Sequence, residues 1–140
     1  MRTCLAIFAA FAALIAAAPA AAQTGPVNAT AAPAAGSAQR RAILDALRPA
    51  IERRLGPDVE FVVRQMRVAN GWAFVMADPQ RRGGRAIDGR RYFENFDDMD
   101  GLTVTAILRF QRGWTLVDQA IGATDAWYCD GGASRVVTGC

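Results

Sequence analysis

VEFVVRQMRVANGWAFVMA, residues 59–77, is the stretch that decides the fold of this chain. Two runs rich in β-branched and aromatic residues flank Asn70-Gly71. Such runs favour β-strands, and an Asn-Gly pair readily adopts the positive φ angles that a two-residue hairpin turn requires. The stretch therefore predicts a β-hairpin.

The first strand of this hairpin departs from a simple alternation of apolar and polar side chains. Phe61 and Val63 share one face, whereas Met66 and Val68 have the opposite parity. Successive side chains of a strand point to opposite faces of the sheet. The strand is therefore either apolar on both faces or interrupted by a β-bulge near Arg64.

A helix is predicted before the hairpin. Apolar residues recur at every fourth position, at Ile43, Leu47, Ile51 and Leu55. This spacing is typical of a helix with one buried face. Ser37 is the predicted N-cap, and Gly56-Pro57 ends the helix. Pro49 cannot donate a backbone hydrogen bond to Asp45, so we expect a kink or a break near Arg48.

A second hairpin follows a long connection. Asp78-Pro79 is expected to end the first hairpin, and residues 78–101 form a long loop that is either functional or disordered. Residues 102–110 alternate in polarity, and Gln111-Arg112-Gly113 turns the chain into a fourth strand over residues 114–121.

The predicted architecture is α+β, with one amphipathic N-terminal helix packed on a four-stranded antiparallel sheet of two hairpins. The open question is whether Met66, Val68, Trp72 and Phe74 can all fit beneath the apolar stripe of the helix; we consider the case in which they cannot. Some of these side chains would then form a second apolar surface. The long loop covers that surface, or it is left open for a partner.

The two ends of the chain predict export. Residues 1–22 have a charged start, a short apolar core and a small-residue exit, the pattern of a secretory signal peptide cleaved after Ala22. Residues 23–37 form a predicted flexible leader, and residues 38–140 a single domain. Cys129 and Cys140 predict a disulfide in a periplasmic or secreted protein. Val136-Val137 suggests a short edge strand in the stapled tail.

Three segments resemble a group of uncharacterised secreted bacterial proteins: RRAILDALRPAIERRLG, VEFVVRQMRVANGWAFVMADPQ and LTVTAILRFQRGWTLVDQAIGATDAWY. The layout also resembles the cystatin-like and NTF2-like helix-on-sheet superfamilies. The resemblance covers about residues 40–128. It implies a fold and a compartment, and no activity.

The composition excludes several classes of function. The chain has no histidine and no lysine. Its only serines are Ser37 and Ser134, both after residue 22. Ser-His and Cys-His nucleophiles, His-based zinc sites and Schiff-base lysines are therefore excluded. The small, dispersed charge excess does not predict nucleic-acid binding, and no cofactor or resident metal is predicted.

Asp118 is the candidate for catalysis. It alternates with Trp114 and Leu116, so it is expected on the apolar side of its strand, where desolvation would strengthen it as a general base. Tyr92 or Tyr128 would assist it in a pocket between helix and sheet. The alternatives are a structural ion pair with a residue such as Arg109, and a slip of face in a strand whose two sides are both mixed.

The long loop holds the candidates for ligand binding. Its arginines are Arg81, Arg82, Arg85, Arg90 and Arg91, and guanidinium groups bind phosphate or carboxylate bidentately. Six acidic residues share the loop, so the alternative is a self-neutralising, solvated segment. Asp97, Asp98 and Asp100 do not match an EF-hand; an irregular calcium site and a plain aspartate-rich turn are the alternatives.

The sequence therefore predicts an exported, non-enzymatic interaction or binding module for an unknown envelope protein or cell-envelope component. The alternative is a small-molecule binder or carboxylate-dependent enzyme with a pocket around Asp118. A purely structural secreted domain is a third possibility.

Overall fold

The computed structural model describes residues 30–131 and 135–140. The main elements, in chain order, are helix α1 (Ala38–Leu55), strands β1 (Val59–Ala69), β2 (Trp72–Arg81), β3 (Val104–Phe110) and β4 (Trp114–Ile121), and the short helix α2 (Arg135–Thr138). The strands form one antiparallel sheet in the order β1-β2-β3-β4. The predicted α+β architecture is confirmed. The predicted signal peptide and residues 23–29 of the leader lie outside the described residues.

The first hairpin forms at the predicted turn. Asn70 and Gly71 have φ angles of 51° and 73°, and Ala69 pairs with Trp72 on either side of them. The second turn lies against the first, because the Phe110 amide donates a hydrogen bond of 2.8 Å to the Gly71 carbonyl. The tips of the two hairpins are thus held together.

A β-bulge resolves the irregular pattern of β1. Val63 pairs with Ala77 and Gln65 pairs with Met76, so Arg64 is the extra residue. The bulge restores the parity of the strand and places Met66 on the same face as Val63. The bulge alternative is therefore confirmed, and the apolar side chains on both sides of it pack against α1.

Helix α1 is continuous through Pro49. Its four predicted stripe residues are fully buried on the sheet. At the start of the helix the Ser37 hydroxyl accepts a hydrogen bond from the Arg40 amide at 3.2 Å. At its end Gly56 has a φ of 79° and donates its amide to the Glu52 carbonyl. Both predicted caps are confirmed, and the helix does not break at Pro49.

The opposite face of the sheet is also apolar, and the C-terminal tail covers it. Phe74 and Ile107 are buried there in contact with tail residues. The Tyr128 ring centroid lies 4.8 Å from that of Phe74, and the Trp127 indole N–H donates to the Thr105 hydroxyl at 2.8 Å. The second apolar surface therefore exists, and its cover is the tail.

The predicted disulfide between Cys129 and Cys140 is present, with 5.5 Å between the two Cα atoms. The edge strand predicted at Val136-Val137 is wrong, because these residues belong to helix α2. Val137 is fully buried against the sheet face. A helical turn packed across the face, and not a strand along the edge, thus returns the chain to Cys129.

Strand β2 extends beyond the predicted stop at Asp78-Pro79 and reaches Arg81. It pairs with β3 only up to Ala77. Pro79 lies beyond this pairing, so its missing N–H interrupts none of the β2–β3 hydrogen bonds. The rest of the loop contains two 3-10 turns, Gly89–Arg91 and Phe96–Asp98.

Part of the predicted flexible leader pairs with the sheet. Ala31 forms an isolated bridge with Val68, with N–O distances of 2.8 and 2.7 Å in the two hydrogen bonds. The leader thus contributes to the edge of β1 at this point. Within residues 30–131 and 135–140, no helix is long and apolar enough to cross a membrane.

We predict that the variant Cys129→Ser/Cys140→Ser loses about 3 kcal/mol of unfolding free energy, because the disulfide restricts the unfolded chain. Urea denaturation followed by tryptophan fluorescence measures this loss. Wild-type protein treated with a thiol reductant is the control and should match the double variant. An unchanged denaturation midpoint would contradict the stabilising role of the disulfide.

Candidate functional site: an arginine surface at the end of helix α1

The last turn of a helix has carbonyl groups without intrahelical partners. The side chain of Arg81 provides donors for this end of α1. It donates hydrogen bonds to the carbonyls of Leu55, Gly56 and Pro57. A fourth bond, of 2.7 Å, joins its guanidinium to the Tyr92 hydroxyl. Arg81 therefore fixes the helix end to the loop that contains Tyr92.

The β1–β2 register explains this position. Arg81 is the last residue of β2 and pairs with Val59, the first residue of β1. Only three residues separate Val59 from the end of α1 at Leu55. A long side chain at position 81 consequently reaches the helix carbonyls.

A tight turn follows Arg81 and projects two more arginines. The Arg81 amide donates to the Arg85 carbonyl at 2.8 Å, and the chain reverses between them. Gly83 and Gly84 have φ angles of 79° and 80°, which side chains at these positions would disfavour. Arg82 and Arg85 therefore lie on either side of a turn that glycine makes possible.

These arginines surround two adjoining open clefts. The larger, of about 550 Å³, is lined by Arg81, Arg82 and Arg85 together with Pro57 and Asp58. The smaller, of about 300 Å³, is lined by Arg81, Arg85 and Arg91, among other residues. Because Arg81 and Arg85 belong to both clefts, we call Arg81, Arg82, Arg85 and Arg91 the arginine surface.

Three members of the arginine surface have guanidinium groups available for a ligand. Arg82 lies 3.9 Å from the Asp58 carboxylate, and both side chains are largely exposed, so this pair is weak. Within residues 30–131 and 135–140, the guanidinium groups of Arg85 and Arg91 make no hydrogen bond or ion pair. The Arg81 guanidinium, in contrast, is already hydrogen-bonded to the carbonyls at the end of α1.

Arg90 is the one predicted loop arginine that does not join this surface. Its guanidinium forms an ion pair with Asp97 and lies 5.6 Å from the Phe96 ring centroid. The Asp88 carboxylate caps the same turn by accepting from the Arg90 amide at 3.1 Å. The structure therefore brings together four of the five predicted arginines.

The fold also separates charges that are adjacent in the sequence. Asp78 pairs with Arg64 at 2.5 Å and accepts a hydrogen bond of 3.0 Å from the Thr103 hydroxyl. Asp97 forms an ion pair with Arg90. The last turn of α1 adds Arg53 and Arg54 beside the arginine surface. This end of the molecule is consequently more basic than the count of loop charges indicates.

Asp118 does not lie on the apolar side that the alternation predicted. A second bulge makes Val117 the extra residue of β4, since Ile107 pairs with Asp118 and Leu108 with Leu116. The shift turns Asp118 to the face opposite Leu116, where it is exposed. Its carboxylate accepts a hydrogen bond from the Gln119 amide at 2.8 Å.

The partners proposed for Asp118 are engaged elsewhere. Tyr92 is bonded to Arg81 at the end of α1, and Tyr128 is the part of the tail that packs on Phe74. Arg109 donates to the Asn70 carbonyl at 3.1 Å and lies over the Trp72 ring. The contacts that Tyr92, Tyr128 and Arg109 make within the described residues are therefore with groups other than the Asp118 carboxylate.

The part of the chain that the structure describes contains no group of three or more histidine, cysteine, aspartate or glutamate side chains positioned to hold a metal ion. In the aspartate-rich turn, Asp97 is paired with Arg90. Compared with known proteins, the chain matches no family model, no curated protein and no solved structure.

We predict that Arg81→Met destabilises the protein by about 2 kcal/mol, because several carbonyls at the end of α1 lose a charged donor. Arg82→Met is the matched control: it removes the same charge one residue away and should change stability by less than about 0.5 kcal/mol. Thermal and urea denaturation measure both. Equal effects of the two substitutions would contradict the capping role of Arg81.

Proposed function

We propose that this protein is an exported, non-enzymatic binding module that takes an anionic ligand at the arginine surface. The pattern of residues 1–22 supports export to the periplasm or beyond, and the Cys129–Cys140 disulfide suits an oxidising compartment. The ligand class is a phosphate or carboxylate group of a cell-envelope component or envelope protein.

The observation that supports anion binding most strongly is the pair Arg85 and Arg91. Their guanidinium groups line one cleft, and neither has a side-chain partner within the described ranges. A guanidinium fork offers parallel N–H donors that match the oxygens of a phosphate or carboxylate. We propose that an anion bound in this cleft pairs with both groups.

The residues around Arg85 and Arg91 are already held in place, so a ligand would not have to reorder this part of the cleft. Arg81 is held by its bonds to the helix carbonyls and to Tyr92, so one wall of the cleft is fixed before a ligand arrives. A preformed wall reduces the ordering that a ligand must impose. The acidic residues lining the two clefts are Asp58 and Asp88, and the Asp88 carboxylate is engaged by the Arg90 amide.

Binding is preferred to catalysis because the remaining candidate for catalysis is poorly placed. Asp118 is exposed on β4 and lines neither cleft of the arginine surface. The chain has no histidine or lysine to take its place. The helix-on-sheet layout also leads us to propose a kinship with cystatin-like or NTF2-like domains, on layout alone.

The test is a titration of the purified protein with inorganic phosphate, and separately with acetate, followed by NMR of the arginine Nε–H groups. We expect the signals of Arg85 and Arg91 to shift with a common dissociation constant. The variant Arg85→Gln/Arg91→Gln should bind at least about tenfold more weakly, because it loses charge-assisted hydrogen bonds.

Arg90→Gln is the control: it removes one positive charge, where the double variant removes two, and it does so next to Arg91 but from a guanidinium that is paired with Asp97. It should leave the affinity for phosphate within about twofold of wild type, as expected for a screened charge outside the cleft. If Arg90→Gln lowered the affinity for phosphate as much as the double variant does, the loss would follow from net charge alone, and the proposed site would be refuted. The absence of any shift at Arg85 and Arg91 would refute it as well.

A further inference from the structure

A second surface lies at the other end of helix α1. A groove of about 470 Å³ opens between the first turns of the helix and the two hairpin turns, and its walls include Ala42, Val68, Phe110 and Trp114. We call it the aromatic groove. Because α1 has 18 residues, the aromatic groove and the arginine surface are about 27 Å apart.

The aromatic groove presents a large apolar side chain to solvent. Phe110 is 48% exposed, and its ring centroid lies 5.3 Å from that of Trp114. The hydrogen bond between the Phe110 amide and the Gly71 carbonyl holds both hairpin tips in place. An aromatic pair on a fixed tip offers apolar area that gains free energy when a partner removes it from water.

Arginines stand next in sequence to residues that line the aromatic groove, and we call these arginines its basic rim. They are Arg40 and Arg41, between Gln39 and Ala42, and Arg109 and Arg112, next to Phe110 and Gly113. The Arg109 guanidinium also donates to the Asn70 carbonyl and lies over the Trp72 ring. The Arg109 guanidinium lies 3.7 Å from the position that a Cβ on Gly71 would take. No acidic residue occurs in the segments that build this end, residues 30–44, 66–76 and 108–117.

Two of these arginines are also placed against the preference of the helix itself. The N-terminal end of a helix has a partial positive charge and favours acidic side chains. The first turn of α1 contains no acidic residue, and Arg40 and Arg41 lie at this end. Their charge therefore adds to the helix dipole and strengthens the attraction for an external anion.

We infer that the aromatic groove and its basic rim dock on the surface of an anionic lipid bilayer. Phe110 would enter the region between headgroups and acyl chains, while the arginines contact lipid phosphates. An anionic bilayer supplies negative charge and an apolar interior side by side. The arginines complement the first, and the exposed Phe110 side chain complements the second. Docking by this end leaves the arginine surface directed away from the membrane, and it does not depend on anion binding there.

The test is co-sedimentation of the purified protein with vesicles of equimolar phosphatidylglycerol and phosphatidylcholine, compared with vesicles of phosphatidylcholine alone. We expect partitioning only onto the anionic vesicles, with a shift of tryptophan emission to shorter wavelength and loss of binding at high salt. Phe110→Ser and Arg112→Glu should each lower the partition coefficient about tenfold.

Two controls separate this surface from nonspecific apolar contact and from a loss of net charge. Val62→Ser removes a similarly exposed apolar side chain, 49% exposed, from the edge strand β1. Arg90→Gln removes one positive charge outside both surfaces, from a guanidinium that is paired with Asp97. Both variants should leave vesicle binding unchanged. Circular dichroism melts of every variant confirm folding, because Phe110 and Arg112 are exposed and their replacement should not unfold the chain.

Three results would overturn the inference. The first is equal binding to neutral and anionic vesicles, or binding to neither. The second is unchanged partitioning of both Phe110→Ser and Arg112→Glu. The third is loss of binding in Arg85→Gln/Arg91→Gln alone, which would move membrane contact to the arginine surface. Failure of phosphate binding in the NMR titration would leave this inference standing, so the two proposals fail separately.

Discussion

Burial of both faces of one sheet is the constraint on which the rest of this structure depends. Ala73, Val75 and Ala77 of β2 face helix α1, whereas Phe74 faces the other way and is equally buried. A sheet with two apolar faces needs a cover on each. The helix supplies one, and the C-terminal tail closed by the disulfide supplies the other.

Much of the fold follows from local sequence patterns, because the interactions that form it are local. Asn70-Gly71 specifies its turn through backbone conformation, and Ser37 specifies the helix start through a hydrogen bond three residues away. The parity change in β1 likewise made a bulge near Arg64 one of two alternatives, and the structure has the bulge. In β4, which is mixed on both sides, a slip of face was only the alternative to an apolar-side Asp118. The bulge at Val117 produces that slip, so the expected position of Asp118 was wrong.

The candidate site was less predictable, because a count of charges does not give their positions. The sequence offers five loop arginines and six acidic residues, but the fold sends Asp78 to Arg64 and Asp97 to Arg90. The role of Arg81 was within reach: counting pairs outward from the Asn70-Gly71 turn, with one bulge residue allowed, sets it opposite Val59 and beside the helix end. The position of Trp127 and Tyr128 over the sheet could not be predicted from the sequence, since the contacts that hold them are long-range.

The molecule thus has a buried apolar centre and two ends rich in arginine, and we propose that the end with Arg85 and Arg91 binds an anion. A crystal structure of the protein grown with inorganic pyrophosphate tests that claim most directly. We predict an anion bound between Arg85 and Arg91, with Arg81 still bonded to the carbonyls at the end of α1 and to Tyr92. Solvent alone at these two arginines, or pyrophosphate bound only at another surface, would contradict anion binding at the arginine surface.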